Sequence, residues 1–335
     1  MKKNRFPFSS NALKAVLFLA ILLGTALLLK DIDWERTLPI LANIDVVLVS
    51  VVFLLGGVNI FLVAWRWHVL LKAVKSDISF KNVVTASIGA MTINTAGPGK
   101  LGVPAKAILL KKLEGVEINQ SLPSVFMDLL LEILALAMML VISALAIGMH
   151  HTVLKFAASA FTSKNILYVA GILLFVLLIV YLLRRKIAAN DFAQKSMNAL
   201  QKTLKRKDIF AAALGLSLLN SAAHFWADQL LFKALQQNIP YGFIMFSSAF
   251  SAMAGWLSPL PSGLGVWELT RAWLFKAYYG IGELAVIMTL LRRLLTYGVM
   301  GVIYTVNVLF LTRNKSLAES GLPGAQALQN SLVGD

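Results

Sequence analysis

Long runs of apolar residues alternate with short charged segments over most of the chain. Six of these runs predict membrane-spanning helices, for which about 20 predominantly apolar residues are needed. The predicted spans cover residues 15–29, 46–64, 122–147, 166–183, 210–232 and 284–311. The second span is predicted to end at Trp65-Arg66-Trp67, because aromatic residues and a cation suit the membrane interface. The first span resembles a secretory signal, but no A-x-A-like cleavage site follows it, so we interpret it as an uncleaved span.

Two further apolar regions are interrupted by glycine and proline. The first reads N-T-A-G-P-G-K-L-G-V-P at 94–104, and the second reads S-P-L-P-S-G-L-G-V-W at 258–267. The apolar segments beside these turns, such as 83–93 and 103–110, are too short to cross a bilayer. Broken hydrophobic segments at corresponding places in two halves of a chain indicate the binding site of a transporter.

The lysines and arginines predict which loops lie in the cytoplasm. Residues 66–112 contain eight of them and residues 184–207 contain another eight, whereas the remaining loops have few. Because cytoplasmic loops are enriched in these residues, both segments are predicted to be cytoplasmic. The first broken region must then enter and leave from inside, and the second, at 241–279, from outside. This topology places both termini in the cytoplasm.

The predicted fold is an all-α polytopic integral membrane protein built from two inverted repeats, at about 10–150 and 164–312. Each repeat has three transmembrane helices and one re-entrant Gly/Pro hairpin. Five residues of the first repeat (Asn59, Trp65, Leu70, Lys72 and Ala73) align without gaps to Asn220, Trp226, Leu231, Lys233 and Ala234. If the hairpins are ordinary short helices, the alternative is seven or eight spans. Residues 1–315 form one domain, and the polar tail at 316–335 is expected to be disordered.

Composition agrees with a membrane protein. Apolar residues make up 58% of the chain and charged residues only 14%, with a mean hydropathy of +0.76, whereas a soluble domain has roughly 25% charged residues. The net charge of +15 lies in the cytoplasmic loops, which argues against a nucleic-acid partner. The chain has no cysteine, no zinc-binding histidine spacing and no phosphate loop for ATP, so we expect no metal or cofactor.

Charged residues inside predicted spans are costly and therefore candidates for function. Asp128 and Glu132 share one helical face near the start of the third span, and Arg292 and Arg293 occupy the analogous place in the last. The arginines would receive an anionic headgroup, or else the four side chains pair with one another and hold the two halves together. His224 with Asp228 forms either a proton relay or a satisfied buried pair.

The broken regions supply further candidates, because a helix is predicted to begin after each turn. Its unpaired amides and positive dipole end favour a phosphate or carboxylate. Alternatively, the glycines serve only tight turns and close helix contacts. The candidate substrate-binding residues are Gly97, Gly99, Lys100, Gly102, Lys106, Asp128, Glu132, Gly263, Gly265, Glu268, Arg271, Arg292 and Arg293.

Four motifs resemble the lysylphosphatidylglycerol synthase transmembrane family, also called the flippase-like domain family. They are A-W-R-W-H-V-L-L-K-A at 64–73, P-G-K-L-G-V-P-A-K-A-I-L-L at 98–110, P-S-G-L-G-V-W-E at 261–268 and R-R-L-L-T-Y at 292–297. The resemblance implies a polytopic inner-membrane protein. Members fused to an aminoacyl transferase move the lysyl-lipid between leaflets, and others are described as polyprenyl-phosphate glycosyltransferase-like.

The sequence departs from the family pattern at two places. Leu129 occupies a position that is often arginine, and Val103-Pro104 replaces a common Gly-Glu. Both changes bear on the headgroup that is recognised. Because the chain ends soon after the last span, we expect a stand-alone member whose lipid-modifying enzyme, if any, is a separate protein.

These observations predict a flippase or lipid-linked transporter, not an enzyme, in the bacterial inner membrane. Its substrate would be an anionic or zwitterionic phosphate-bearing lipid, either a membrane phospholipid or a polyprenyl-phosphate lipid. The alternatives are a membrane component of polyprenyl-phosphate glycosyl or aminoacyl-lipid transfer, and an accessory subunit without transport of its own.

Overall fold

A computed structural model describes residue 30 and residues 32–73, 77–96, 101–149, 191–257 and 263–319. Every regular element in these residues is a helix. The helices are α1 (Trp34–Ala42), α2 (Val46–Leu71), α3 (Phe80–Ala96), α4 (Gly102–Glu114), α5 (Ile118–Ala146), α6 (Asp191–Lys205), α7 (Lys207–Ala234), α8 (Tyr241–Leu257), α9 (Val266–Tyr279) and α10 (Gly282–Glu319). The predicted spans at 15–29 and 166–183 and the tail at 320–335 lie outside the described residues.

Four of the described helices are long and apolar enough to cross a membrane: α2, α5, α7 and α10 as far as Ile303. They contain the predicted spans at 46–64 and 210–232, all but the last residue of the span at 122–147, and most of the span at 284–311. The all-helical, membrane-protein class expected from the sequence is therefore confirmed. The prediction that α2 ends at an interfacial Trp65-Arg66-Trp67 is wrong, because the helix continues to Leu71 and Arg66 is only 1% exposed.

Each broken region contains a pair of shorter helices that pack against each other. Helices α3 and α4 have 17 and 13 residues, and α8 and α9 have 17 and 14. The helices α4 and α9 both end at a glycine with left-handed backbone, Gly115 (φ 65°) and Gly280 (φ 68°), which a residue with a Cβ rarely adopts. The order long, short, short, long thus occurs twice, in α2–α5 and in α7–α10.

The two halves meet along α2 and α7, which make the most extensive helix–helix contact among the described elements. The largest apolar core lies beside this contact and includes Val52, Leu231 and Met288. In the same core the rings of Phe232 and Phe275 stack with centroids 4.5 Å apart, which joins α7 to α9. The short helices are therefore packed into the bundle of long ones.

The basic segment at 184–207, which is predicted to be cytoplasmic, contains the amphipathic helix α6. It packs on α5 with Ala199 and Thr203 buried, while Met197, Lys202 and Leu204 are exposed. This distribution is typical of a helix that lies along the surface of a membrane-protein bundle.

Candidate functional site

The contact between α3 and α4 requires glycine at position 102. A Cβ on Gly102 would lie 2.1 Å from the carbonyl oxygen of Ala90, far inside contact distance. The Gly102 amide donates to Oδ1 of Asn94 at 2.6 Å, which ties the start of α4 to the end of α3. The other candidates of this turn, at positions 97, 99 and 100, lie outside the described residues.

The second turn also depends on its glycines. Gly263 has φ 64°, and its Cβ would lie 2.7 Å from the carbonyl oxygen of Gly255. Gly265 has φ 83°, and its amide donates to Oε2 of Glu268 at 2.8 Å. Helices do begin after both turns, but one amide at each start already has an acceptor from the protein. The hypothesis that these amides are unpaired is therefore wrong for Gly102 and Gly265.

In the first half, the predicted carboxylates form a buried ion-pair cluster, which we call the first cluster. One carboxylate oxygen of Asp128 accepts a hydrogen bond from Nε of Arg66 at 2.5 Å, and the other accepts one from Nζ of Lys106 at 2.7 Å. Glu132 accepts a hydrogen bond from Nη2 of Arg66 at 2.9 Å. The hydroxyl of Ser217 in α7 accepts one from Nη1 of the same arginine at 3.3 Å. The two cations and two carboxylates neutralise each other, so this cluster is electrostatically satisfied.

In the second half, a corresponding second cluster is centred on Asp228, which is fully buried. Its Oδ2 accepts hydrogen bonds from Nη2 of Arg271 at 2.7 Å and from the Ser248 hydroxyl at 2.9 Å. Arg292 approaches Asp228 only to 3.5 Å and lies 3.3 Å from Nδ1 of His224. His224 and Asp228 are thus held by the arginines and not by each other.

The remaining pair of the second cluster joins α9 to α10. Nε of Arg293 lies 2.5 Å from Oε1 of Glu268, whose other oxygen caps the start of α9. The Arg293 guanidinium also lies 5.3 Å from the ring centroid of Trp267. Three arginines against two carboxylates leave the second cluster with one positive charge.

The expected alternative, in which Asp128 and Glu132 pair with Arg292 and Arg293 across the halves, is wrong. Each half pairs its own charges, and the signs are exchanged between corresponding helices. The first long helix of a half provides a cation in α2 but a carboxylate in α7, and the last provides carboxylates in α5 but cations in α10. Arg66, which was expected at the membrane interface because tryptophans flank it, is the partner of both carboxylates that the sequence did not reveal.

Three adjoining cavities lie between the two halves. The carboxylate cavity, of about 140 Å³, is lined by Asn94, Lys106, Asp128, Glu132 and Trp256 among others. The arginine cavity, of about 230 Å³, is lined by Asn94, His224, Trp267, Arg271, Arg292 and Arg293 among others. The tryptophan cavity, of about 180 Å³, is lined by Glu132, Asn220, His224, Trp256 and Trp267 among others. Any two of these cavities share lining residues, so we treat the three as neighbouring parts of one central space.

The arginine cavity contains buried donors without acceptors. Among the described residues, no hydrogen-bond partner is found for Nε and Nη1 of Arg292, Nε of Arg271 or the indole Nε1 of Trp267. Arg292 is only 4% exposed. Buried polar groups are normally hydrogen-bonded, and an unsatisfied buried charge is especially costly. Unsatisfied donors on residues that line one cavity, beside an excess positive charge, are suited to an anionic ligand.

Residues 12–303 match the family model described as the lysylphosphatidylglycerol synthase TM region. The chain is also similar to a UPF0104 membrane protein of Pyrococcus horikoshii, with 24% identity over 322 residues. That similarity covers 84% of this chain and 92% of the relative. The family match extends from before α1 into α10 and includes both ion-pair clusters. The chain therefore belongs to the lysylphosphatidylglycerol synthase transmembrane-region family.

Proposed function

We propose that this protein moves a phosphate-bearing anionic or zwitterionic lipid between the leaflets of the membrane. The observation that carries the proposal is the arginine cavity, where Nη1 of the buried Arg292 has no hydrogen-bond partner among the described residues and Nε comes no closer than 3.5 Å to Asp228. A phosphate oxygen would satisfy these donors and offset the positive charge of the second cluster. Family membership supports a role in lipid biology. Because the sequence has no phosphate-binding loop for ATP, the proposed movement does not include ATP hydrolysis.

The proposal includes an inverted arrangement of the two halves, with α3–α4 and α8–α9 as hairpins that enter from opposite faces. Three observations support it: the repeated order of helix lengths, the left-handed glycines that end α4 and α9, and the lysine-rich loops. In this arrangement the ends of α3 and α8 meet near the middle of the bilayer. Asn94 and Trp256, near those ends, line the shared cavities. Discontinuous helices at membrane depth are tolerated where they line such a space.

The topology can be tested with single cysteines, because the natural chain has none. Lys111→Cys and Lys202→Cys are expected to react with an impermeant maleimide only after the cytoplasmic face is opened. Gln237→Cys is expected to react in intact cells. The cysteine-free protein measures background labelling. Reaction of Lys111→Cys in intact cells would contradict the inverted hairpin arrangement.

Transport itself is tested in vesicles that contain the purified protein and a trace of lipid with a fluorescent acyl chain. We expect protein-dependent loss of leaflet asymmetry for phospholipids but not for a neutral glycolipid without phosphate. Protein-free vesicles measure spontaneous movement, and a thermal unfolding curve of the same preparation shows that the protein is folded. Folded protein that moves no phosphate-bearing lipid would contradict the proposal and favour an accessory or transferase-associated role.

A further inference from the structure

The tryptophan cavity differs in chemistry from the arginine cavity next to it. Its polar lining is rich in acceptors, whereas the unsatisfied groups of the arginine cavity are all donors. The two spaces share Trp267 and His224, whose rings stack with centroids 6.2 Å apart. The two cavities therefore adjoin at this pair of rings.

Two acceptors of the tryptophan cavity lack partners among the described residues. Oδ1 of Asn220 is buried without a hydrogen bond. Glu132 uses Oε2 to bind Arg66 at 2.9 Å, while its Oε1 has no hydrogen bond to any described group. The Glu132 side chain is 33% exposed, although the Asp128 side chain one turn earlier is only 5% exposed. Glu132 is therefore the carboxylate of the first cluster that remains open to the cavity.

The walls of the tryptophan cavity suit a small polar group. Trp256, Trp267 and Phe225 supply aromatic surface, and Ser221 and Ser248 supply hydroxyls. Aromatic faces pack against the carbon atoms of such a group, while the selectivity for a hydrogen-bond donor comes from the acceptor oxygens beside them. Together with free carboxylate and amide oxygens, such walls favour a ligand group that donates hydrogen bonds.

The charge of the second cluster narrows what can occupy the arginine cavity. With one excess positive charge, it matches the single negative charge of a phosphodiester more closely than the charge of a terminal phosphate, which approaches −2 at neutral pH. A phosphodiester has a second substituent, and the adjoining acceptor-rich cavity offers a place for it.

From these contacts we infer that the central space is a two-part headgroup site, an inference that rests on the proposed function. The arginine cavity binds the phosphodiester, and the tryptophan cavity binds a hydrogen-bond-donating substituent on it, either an ammonium or a hydroxyl group. Glu132 and Asn220 accept from that substituent. A lipid with an unsubstituted phosphate, or with a substituent that lacks donors, fills only the first part of the site.

Binding to the purified protein in detergent tests the inference independently of transport. The probes are four lipids with identical acyl chains: phosphatidylethanolamine, phosphatidylglycerol, phosphatidylcholine and phosphatidic acid. We expect the ethanolamine or the glycerol lipid to bind about tenfold more tightly than the other two, a factor comparable to one good hydrogen bond. Asn220→Ala should remove most of this preference, because it weakens binding of the preferred lipid more than binding of the other lipids. The matched control is Asn198→Ala, at an exposed position of α6.

Glu132→Gln distinguishes the two kinds of donor. If the preferred lipid has an ammonium group, loss of the carboxylate charge should weaken its binding more than Asn220→Ala does. If the donor is a hydroxyl, the glutamine should preserve most of the binding. Both results support a two-part site, and thermal unfolding of each variant shows whether the fold is intact.

The inference is overturned if phosphatidic acid and phosphatidylcholine bind as tightly as the other two lipids. It is also overturned if Asn220→Ala weakens all four equally. In either case, intact phosphatidic acid binding and transport would leave the proposed function standing. Failure of all four lipids to bind a folded protein would remove both proposals together.

Discussion

Asp128→Asn is expected to destabilise the folded protein by about 3–5 kcal/mol, the usual cost of removing one partner from a buried ion pair. The Asp128 carboxylate is the only acidic contact of the Lys106 ammonium among the described residues, at 2.7 Å, and it also holds Arg66 at 2.5 Å. An asparagine has no charge and would direct either its oxygen or its amide at these cations. Lys106, only 9% exposed, would be left buried without a counter-charge.

The loss should appear as a lower unfolding midpoint in detergent micelles. Lys106→Met added to Asp128→Asn should restore part of it, because the stranded ammonium is then gone while Glu132 still holds Arg66. The control is Asp208→Asn, whose partner Arg206 lies 2.8 Å away on the surface and where we expect no measurable change. An unchanged midpoint for Asp128→Asn would mean that the first cluster does not hold α4 against α5.

The long helices were predictable because the energetics of a membrane span depend on few features. A long apolar run is stable in the lipid bilayer only if its backbone groups are hydrogen-bonded to each other, as they are in a helix. The helices α2, α5, α7 and α10 therefore follow from composition and length. The two broken regions were recognisable for a related reason. Several glycines and prolines close together are unfavourable inside a helix, and Gly263 and Gly265 have the left-handed backbone that such turns require.

The pairing of the charges was not predictable, because it depends on which helices are neighbours. Asp128 and Glu132 were recognised by their position inside a span, but their partner Arg66 lies where an aromatic-flanked cation usually marks the membrane surface. Its burial depends on the contact of α2 with α5 and α7, a tertiary feature. The unsatisfied donors of Trp267 and Arg292 were not predictable for the same reason, since only the packed structure shows which donors lack acceptors.

The second large effect is expected at Arg292, where lipid binding and transport should fall sharply while the stability of the fold changes little. Arg292→Gln should lower binding of phosphate-bearing lipid roughly 10- to 100-fold, which corresponds to the ~1.5–3 kcal/mol of hydrogen bonds to a charged group. The folded state should lose little, because Oδ2 of Asp228 keeps Arg271 at 2.7 Å and Ser248 at 2.9 Å. Removal of a buried cation whose Nε and Nη1 have no hydrogen bond offsets part of the loss of its 3.5 Å contact with Asp228.

Arg66→Gln is the matched comparison, since it removes an equally buried arginine that is held at 2.5 Å by Asp128 and at 2.9 Å by Glu132. This change should cost about 3–5 kcal/mol of stability because it strands carboxylate charge in the bundle. Unfolding midpoints and lipid transport measured on the same preparations separate the two arginines. If Arg292→Gln melts as early as Arg66→Gln, and if neutralising Asp228 restores its stability, then Arg292 is a structural counter-ion. If Arg292→Gln instead keeps its midpoint and loses phospholipid transport, the headgroup binds in the arginine cavity.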